Sequence, residues 1–287
     1  MNSLKTLYQA PYNKKYPVAA FVRFIYWKVI RLFKLKDVRY RVWNNRTILL
    51  DYNSFQSMWL MYNYIVDWEE FNLISSYIRP GDNVFDIGSN RGFYTIWMSQ
   101  FIGHGKIHSF EPDSDSFERL QKNVALNDLK ELVIPNKNAV SEIDGELSFT
   151  KELDIENHIV DSTFINSVTI QSQKIDSYLQ YQNIDAVAYL KIDVEGFEYA
   201  VLKGANTALL NKQIDIIQLE INKSIANSGK SITDLLELLN HYQYRLCRYD
   251  VDSNQLIAVD FSNERENYFA VVELVIVNRK LKRLQAH

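Results

Sequence analysis

Four carboxylic acids stand where a predicted buried strand ends: Asp86, Glu111, Asp193 and Glu220. In an open parallel sheet, the carboxyl ends of the strands lie along one rim, and ligands bind in the crevice outside it. A carboxylate there can accept a hydrogen bond from a hydroxyl group or remove its proton. One such acid alone is often only a helix cap. Four on one rim predict a site for a ligand rich in hydrogen-bond donors.

The segment from Gly81 to Thr95 predicts the centre of this site. It reads as a turn, a short buried strand that contains Asp86, a glycine-containing loop and the start of a helix. Glycine lets the backbone approach a ligand closely, and a helix N-terminus offers unpaired N–H groups. These features predict a nucleotide-type pocket near residues 86–95.

The type of nucleotide is indicated by Glu111 and by the glycine spacing. Glu111 lies 23 residues after Gly88, at the end of the second strand, where an acid can hold ribose hydroxyls. The loop is Gly88-Ser-Asn-Arg-Gly92 rather than G-x-G-x-x-G, so a dinucleotide fold is matched poorly. Two glycines after an aspartate suit a ligand with an amino-acid end, such as S-adenosylmethionine. Arg91 favours a phosphate instead, which leaves an NAD-type oxidoreductase as an alternative.

Alternating strands and helices position these residues. The strands are nearly continuous apolar runs, which is typical of a parallel sheet covered by helices on both faces. The pattern predicts strands at 83–87, 106–110, 131–134, 145–150, 167–171, 187–193, 214–220, 244–248 and 268–277, and helices at 67–78, 93–102, 114–127, 175–179, 199–210 (interrupted at Gly204) and 233–241.

Several of these stretches together resemble the FkbM-type methyltransferases. The most specific is Asp-Val-Glu-Gly-Phe-Glu at 193–198, and the resemblance covers roughly residues 67–277; Ser89 departs from it, because the family usually has alanine there. It implies an α/β, class I methyltransferase (Rossmann-like) fold with a mostly parallel seven-stranded sheet flanked by helices. It also implies S-adenosylmethionine as cofactor and transfer to hydroxyl oxygens. The stretches that carry it are 84–95, 110–112, 123–127, 190–198 and 201–205.

Carried over residue by residue, the resemblance implies a cofactor site. The loop after the first strand would surround the methionine end, Glu111 would hold the ribose, and the loop at 138–139 would lie beside the adenine. The implied cofactor-binding residues are Asp86, Gly88, Ser89, Asn90, Gly92, Tyr94, Thr95, Glu111, Pro112, Asn138, Ala139 and Asp193.

Asp193 and Glu195 are the expected catalytic residues, because the resemblance places them beside the methyl group and its acceptor. Methyl transfer to an alcohol needs in-line alignment and removal of the hydroxyl proton. We expect Asp193 to act as the base or to orient the acceptor, with Glu195 assisting. Alternatively, Glu195 caps the next helix or pairs with Lys191. Asp193, Glu195 and Glu220 could also bind a hard cation, although no metal is predicted.

The acceptor is expected to be a hydroxyl group on a sugar, a glycan or a secondary metabolite, as the resemblance implies. The polar segment 151–166, which contains His158, is a candidate loop on the acceptor side; an ordinary surface excursion would have the same composition. No nucleic-acid partner is predicted.

Composition limits the class of protein. The chain has 287 residues, of which 47% are hydrophobic, enough for a sizeable core. The single cysteine, Cys247, excludes an intrachain disulfide and a cysteine-based metal site. No secretory signal is recognisable, and charges interrupt the apolar run after Tyr16, which argues against a transmembrane helix. We expect a cytoplasmic protein, with the inner face of a membrane as an alternative location.

The charge is concentrated at the N-terminus. Residues 1–50 carry 11 Lys and Arg but one acid, Asp37, for a net +10, while the remainder carries −13. This asymmetry predicts either an anionic partner, such as a membrane surface or phosphate, or docking of the basic segment on the chain's own acidic part.

Residues 17–36 have the pattern of an amphipathic helix, and 38–43 with 47–52 that of a hairpin. The helix could lie on a membrane, or pack on the domain or on a second copy in a homo-oligomer. At 100° per residue, Arg23, Lys28, Arg31 and Lys34 share its polar face with Trp27, and the apolar face holds Phe21, Val22, Ile25, Tyr26, Val29, Ile30, Leu32 and Phe33.

We therefore divide the chain into an N-terminal extension, 1–66, and a methyltransferase domain, 67–287. The alternative outside enzymes is a catalytically silent, membrane-recruited binding module with the same fold. The intact set of acids on the rim argues against that alternative, because a silent domain has no need to keep them together.

Overall fold

The computed structural model describes residues 7–150, 159–160 and 167–282. Most of the candidate acceptor loop, 151–158 and 161–166, therefore lies outside the described residues. The helices are α1 (Pro11–Lys15), α2 (Pro17–Leu32), α3 (Phe55–Asn63), α4 (Trp68–Tyr77), α5 (Phe93–Met98), α6 (Ser114–Leu126), α7 (Ile175–Gln182), α8 (Glu198–Lys203), α9 (Asn206–Leu210), α10 (Ile232–His241) and α11 (Leu274–Lys282).

The strands form a two-stranded hairpin, one large sheet and a small four-stranded sheet. They are β1 (Val38–Arg41), β2 (Thr47–Leu50), β3 (Asn83–Ile87), β4 (Lys106–Phe110), β5 (Val133–Asn136), β6 (Ala139–Val140), β7 (Gly145–Thr150), β8 (Ile159–Val160), β9 (Ser167–Gln173), β10 (Val187–Ile192), β11 (Ile214–Glu220), β12 (Arg245–Asp250), β13 (Gln255–Ala258) and β14 (Asn267–Val271).

The large sheet confirms the expected α/β fold with a mostly parallel sheet. Its order is β13-β12-β14-β11-β10-β3-β4-β5. The neighbours from β11 to β5 are parallel, and β14 is inserted antiparallel between β11 and β12. The sheet has eight strands rather than seven, because β13 pairs antiparallel with β12 at the edge. The sequence pattern did not predict this strand.

Two hydrophobic clusters lie on opposite faces of the sheet. Successive strand residues point to opposite faces, so Val84 joins one cluster and Phe85 the other. Helices α4, α5, α6 and α11 cover the first face, and α7, α8 and α10 cover the second. The first cluster also contains Trp27 and Trp43 of the N-terminal extension. The division of the chain at residue 66 remains a prediction, and the two parts share this core.

The prediction of a strand over 268–277 is wrong in its second half. Strand β14 ends at Val271, and α11 begins at Leu274. Val277 and Leu281, four residues apart, are buried, whereas Val275 and Ile276 are exposed. This is helical spacing, and a short apolar run does not by itself distinguish a strand from a helix.

Helix boundaries also differ from the predictions in detail. The helix expected over 93–102 ends at Met98, whereas the break at Gly204 is confirmed between α8 and α9. A Cβ at Gly204 would stand 2.0 Å from the backbone oxygen of Ser141, so the chain packs too closely there for a side chain.

The buried face of α2 is not the one that the helical pattern predicts. The face that packs on the protein contains Arg23 and Trp27, which the helical pattern assigned to the polar face. The guanidinium group of Arg23 is buried against Asn13 and lies over the rings of Tyr12 and Tyr64. These partners explain why a charged residue can face inward.

Helix α6 holds the N-terminal hairpin in place through Asn123. The side-chain oxygen of Asn123 accepts a hydrogen bond from Leu49 N–H at 2.9 Å, and its Nδ2 donates to Arg91 O at 2.8 Å. Asn127 forms a similar pair of bonds with the backbone of Thr47. The side chain of Asn123 therefore joins strand β2, helix α6 and the glycine-containing loop.

We expect Asn123→Ala to destabilise the protein by about 1–3 kcal/mol, because the buried N–H of Leu49 loses its acceptor. Urea denaturation monitored by circular dichroism measures this change. Gln121→Ala, at an exposed position of the same helix, is the matched control. Equal midpoints for the two variants would contradict the assigned role of Asn123.

Candidate functional site

The carboxyl ends of β3, β4, β10 and β11 border a cavity of about 390 Å³. This volume lies within the range of small-molecule sites, about 300–1,000 Å³. Ten of the predicted cofactor-binding and catalytic residues line it: Gly88, Ser89, Asn90, Tyr94, Glu111, Pro112, Asn138, Ala139, Asp193 and Glu195. The cavity therefore brings together most of the predicted cofactor and catalytic residues.

The loop after β3 is shaped by glycine. Gly88 has φ +73°, and a Cβ on it would stand 1.8 Å from the backbone oxygen of Asp193. The loop can therefore lie directly against the end of β10 only if residue 88 has no side chain. Gly92, with φ +83°, is the N-cap of α5 and lies against Leu120. It does not line the cavity and instead shapes the turn into the helix.

Glu111 fixes the other side of the loop. Its two carboxylate oxygens accept hydrogen bonds from the backbone N–H groups of Asn90 and Asp113, both at 2.8 Å. Burial raises the pKa of Glu111 to about 7, although these two hydrogen bonds act in the opposite direction. A carboxylate has about four acceptor positions, so Glu111 can still accept hydroxyl groups from the cavity.

Asp86 lies beneath the cavity rather than in its wall. It is fully buried and accepts a hydrogen bond from Thr95 Oγ1 at 2.6 Å. Its other carboxylate oxygen is 3.6 Å from the ammonium nitrogen of Lys191. Burial raises the pKa of Asp86, while Lys191 opposes that shift. Asp86 and Thr95 thus support the site from below.

Lys191 joins this buried layer to the cavity. Its ammonium group lies 3.0 Å from Asp193 Oδ2 and 3.3 Å from Gly88 O. Burial alone would lower the pKa of Lys191, but Asp193 and Asp86 raise it above its ordinary value. Lys191 therefore remains charged and holds Asp193 at the edge of the glycine loop. Lys191 thus pairs with Asp193 and Asp86, and the alternative pair between Lys191 and Glu195 remains a prediction.

The loop that carries Asp193 and Glu195 is held by Glu198. Its carboxylate accepts hydrogen bonds from Val194 N–H at 3.3 Å and Gly196 N–H at 3.2 Å. Glu198, the first residue of α8, therefore holds the loop that precedes the helix. Burial raises the pKa of Glu198 to about 7.

Glu220 faces Asp193 across the end of the strands. Burial, reinforced by the negative charges of Asp193 and Glu195, raises the pKa of Glu220 to about 8, and its carboxyl group accepts a hydrogen bond from Asn222 Nδ2 at 2.6 Å. Glu220 is therefore largely protonated at neutral pH and can donate to Asp193. Among the described residues, no group of three or more His, Cys, Asp or Glu side chains has an arrangement that could hold a metal ion.

A second polar network lies beside Tyr94. The Tyr94 hydroxyl group donates to Asp67 Oδ2 at 2.6 Å and accepts from Gln218 Nε2 at 3.1 Å. Gln218 in turn accepts from Tyr189 at 2.7 Å. Asp67 is at the N-cap position of α4, but its side chain makes no capping hydrogen bond and accepts one from Tyr94 instead.

Sequence reasoning missed part of this site. Lys191 and Gln218 could have been found, because each is a polar residue inside an otherwise apolar strand and such residues need buried partners. Phe55, Gln56 and Trp59 of α3 also line the cavity. No motif in the N-terminal extension indicates that they do so.

Comparisons with known proteins agree with this architecture. Residues 86–246 match the family model described as the methyltransferase FkbM domain. The hexuronic acid methyltransferase AglP of Haloferax volcanii is 26% identical over 183 residues, which are 64% of this chain and 73% of that protein.

Solved structures with some similarity are also methyltransferases by description. A putative rRNA methylase from Clostridium thermocellum has a TM-score of 0.45 and 14% identity, covering 71% of this chain and 93% of its own. Methyltransferase FkbM from Methylobacillus flagellatus KT has a TM-score of 0.42 and 14% identity, covering 74% of this chain and 52% of its own. Because the family match spans more than half of the 287 residues, this protein belongs to the FkbM methyltransferase domain family.

Proposed function

We propose that this methyltransferase uses S-adenosylmethionine and transfers its methyl group to a hydroxyl oxygen of a sugar. The observation that carries the proposal is the convergence of Gly88, Glu111 and Asp193 on one cavity. Gly88 lets a ligand approach the loop backbone closely, and Glu111 can accept hydrogen bonds from ribose hydroxyls. Asp193 contributes a carboxylate to the same cavity.

The residues present fit S-adenosylmethionine. Asn90 Oδ1 is buried with no hydrogen-bond partner among the described residues, so it is available to a donor such as an amino group. The missing side chain of Gly88 leaves the loop backbone close to Asp193. Glu111 can accept from vicinal hydroxyls, and Asn138 and Ala139 border the same cavity. When bound, S-adenosylmethionine supplies an electrophilic methyl group.

The chain's own residues would orient the acceptor and manage its proton. Lys191 holds the carboxylate of Asp193 through the ion pair at 3.0 Å. The side chain of Asp193 is 39% exposed, so a hydroxyl group can reach it. During transfer, Asp193 would accept the proton of the acceptor hydroxyl group. Glu220, protonated by its raised pKa, holds Asp193 from the other side.

The charge of the cavity favours an uncharged acceptor. Seven carboxylic acids line it: Asp67, Glu111, Asp113, Asp193, Glu195, Glu220 and Glu266. Burial raises the pKa of Asp67, Glu111 and Glu220, so these three contribute less negative charge at neutral pH. Among the described lining residues the only Lys or Arg is Lys191, which is already paired with Asp86 and Asp193. Carboxylates accept hydrogen bonds from sugar hydroxyls but repel another carboxylate. We therefore propose a neutral sugar, although the similar AglP is described as acting on hexuronic acid.

S-adenosylhomocysteine should bind and stabilise the protein, by about 2.7 kcal/mol at one hundred times its dissociation constant, whereas NAD should not. Hydroxyl donation favours the ionised form of Glu111, whose pKa is about 7 in the free protein. Affinity should therefore increase as the pH rises through 7. Calorimetric titration at several pH values measures both effects.

Glu111→Gln should weaken this binding and remove its pH dependence near 7, because the amide does not titrate. Glu131→Gln, at an exposed position, is the matched control and should behave as the wild type. Stabilisation by NAD in place of S-adenosylhomocysteine would overturn the proposed cofactor.

Asp193→Asn should lower turnover about 10²-fold or more and leave S-adenosylhomocysteine affinity largely unchanged. Turnover by the variant should recover at higher pH, where the acceptor ionises without a base. Asp252→Asn, an exposed position outside the cavity, controls for the loss of one carboxylate. Near-full activity of Asp193→Asn would show that Asp193 is not the base.

Matched glycosides that differ only at one carbon, hexose against hexuronic acid, test the acceptor. We expect faster release of S-adenosylhomocysteine with the neutral sugar, because the acidic lining disfavours a second carboxylate. Preference for the hexuronic acid would contradict the neutral-sugar assignment while leaving sugar methylation intact.

A further inference from the structure

The outward face of helix α2 is a continuous apolar surface. It lies opposite the buried face that contains Ala20, Trp27 and Ile30. Val22 is 61% exposed and Leu32 is 76% exposed. We call this surface the α2 ridge; it consists of Val18, Phe21, Val22, Ile25, Val29, Leu32 and Phe33.

The contacts of the inner face of α2 fix the orientation of the helix. They therefore also fix the α2 ridge on its outward face. Trp27 and Ile30 belong to the main core cluster, and Phe24 packs on Tyr62 of α3 with ring centroids 5.8 Å apart. Arg23 is tied to Asn13. A helix rotation that buried the ridge would remove all these contacts. The exposed apolar face therefore marks an interaction surface.

Basic side chains surround the α2 ridge. Residues 7–50 contain one acidic residue, Asp37, and it is paired with Arg119. The exposed basic residues in and around α2 and the hairpin are Lys14, Lys15, Lys28, Arg31, Lys34, Lys36, Arg39 and Arg41. An apolar helix face with cations beside it has the chemistry of a helix that lies in the interface of an anionic bilayer.

We propose that the α2 ridge docks on an anionic lipid surface, with its apolar side chains in the bilayer interface and the neighbouring cations at the lipid headgroups. A second copy of the chain fits less well, because a two-fold interface would place this basic surface against itself. The helix would lie on the membrane rather than cross it: no helix among the described residues is long and apolar enough to span one.

The ridge is close in the fold to one wall of the cavity. Helix α2 packs on α3, and α3 supplies Phe55, Gln56 and Trp59 to the cavity wall. A docked protein would therefore present this wall near the bilayer. If the proposed sugar methylation is correct, acceptors anchored in the same membrane are favoured. The docking itself does not depend on that activity.

Sedimentation of the full chain with vesicles tests the proposal without cofactor or acceptor. We expect binding to vesicles of phosphatidylcholine with phosphatidylglycerol, little binding to phosphatidylcholine alone, and release at high salt. Val22→Ser with Leu32→Ser should weaken binding about tenfold or more, because two apolar anchors are lost. Lys28→Gln with Arg31→Gln should weaken it on anionic vesicles and reduce the salt dependence.

Val275→Ser with Ile276→Ser makes the same change at exposed apolar positions of α11 and should bind as the wild type. Melting temperatures confirm that every variant folds. Failure of the wild type to bind anionic vesicles would overturn the proposal, as would equal binding by Val22→Ser with Leu32→Ser. A dimer in sedimentation velocity that only this ridge variant dissociates, without vesicle binding, would assign the ridge to a second copy instead.

Discussion

The site depends on one ammonium group buried between two carboxylates. Lys191 lies 3.6 Å from Asp86 and 3.0 Å from Asp193, and it also contacts the backbone oxygen of Gly88. These contacts link the first strand of the parallel sheet to the loop that carries the proposed base. Breaking a buried ion pair by removing one partner typically costs about 3–5 kcal/mol. Lys191 thus couples three features of the site: the carboxylate of residue 86, the absence of a side chain at residue 88 and the position of Asp193.

The cavity is built from two parts of the chain with different roles. The rim of the large sheet supplies the glycine loop, Glu111 and Asp193, which face the proposed cofactor. The N-terminal extension supplies aromatic residues from α3, and Asp67 follows it at the start of α4. The extension is held to the sheet by Asn123 and by Trp43, whose indole packs on Phe71 and Trp97.

The sequence was most informative where backbone geometry and residue type determine each other. The strand ending near Asp86 and the break at Gly204 follow from local rules, and both are confirmed. Tertiary contacts decided the rest. The burial of Arg23 depends on residues distant in sequence: Tyr64 lies under its guanidinium group, and Tyr62 O accepts a hydrogen bond from Asn13, its partner. The roles of Lys191 and Trp59 likewise depend on which helices and strands lie next to each other. The periodicity of the sequence does not contain that information.

The buried glutamates give the folded chain a protonation state that its composition does not show. Burial raises the pKa of Glu111 and Glu198 to about 7 and of Glu70 and Glu220 to about 8, against 4.5 for a free side chain. The native chain therefore binds more protons than the unfolded chain between these values, and folding takes protons up from the buffer. The stabilising contribution of these four groups is complete below about pH 4.5 and is lost as the pH rises through 7 and 8. At neutral pH the folded protein is consequently less negative than its formal charge of −3, and its isoelectric point should lie above the value of 6.0 given by composition.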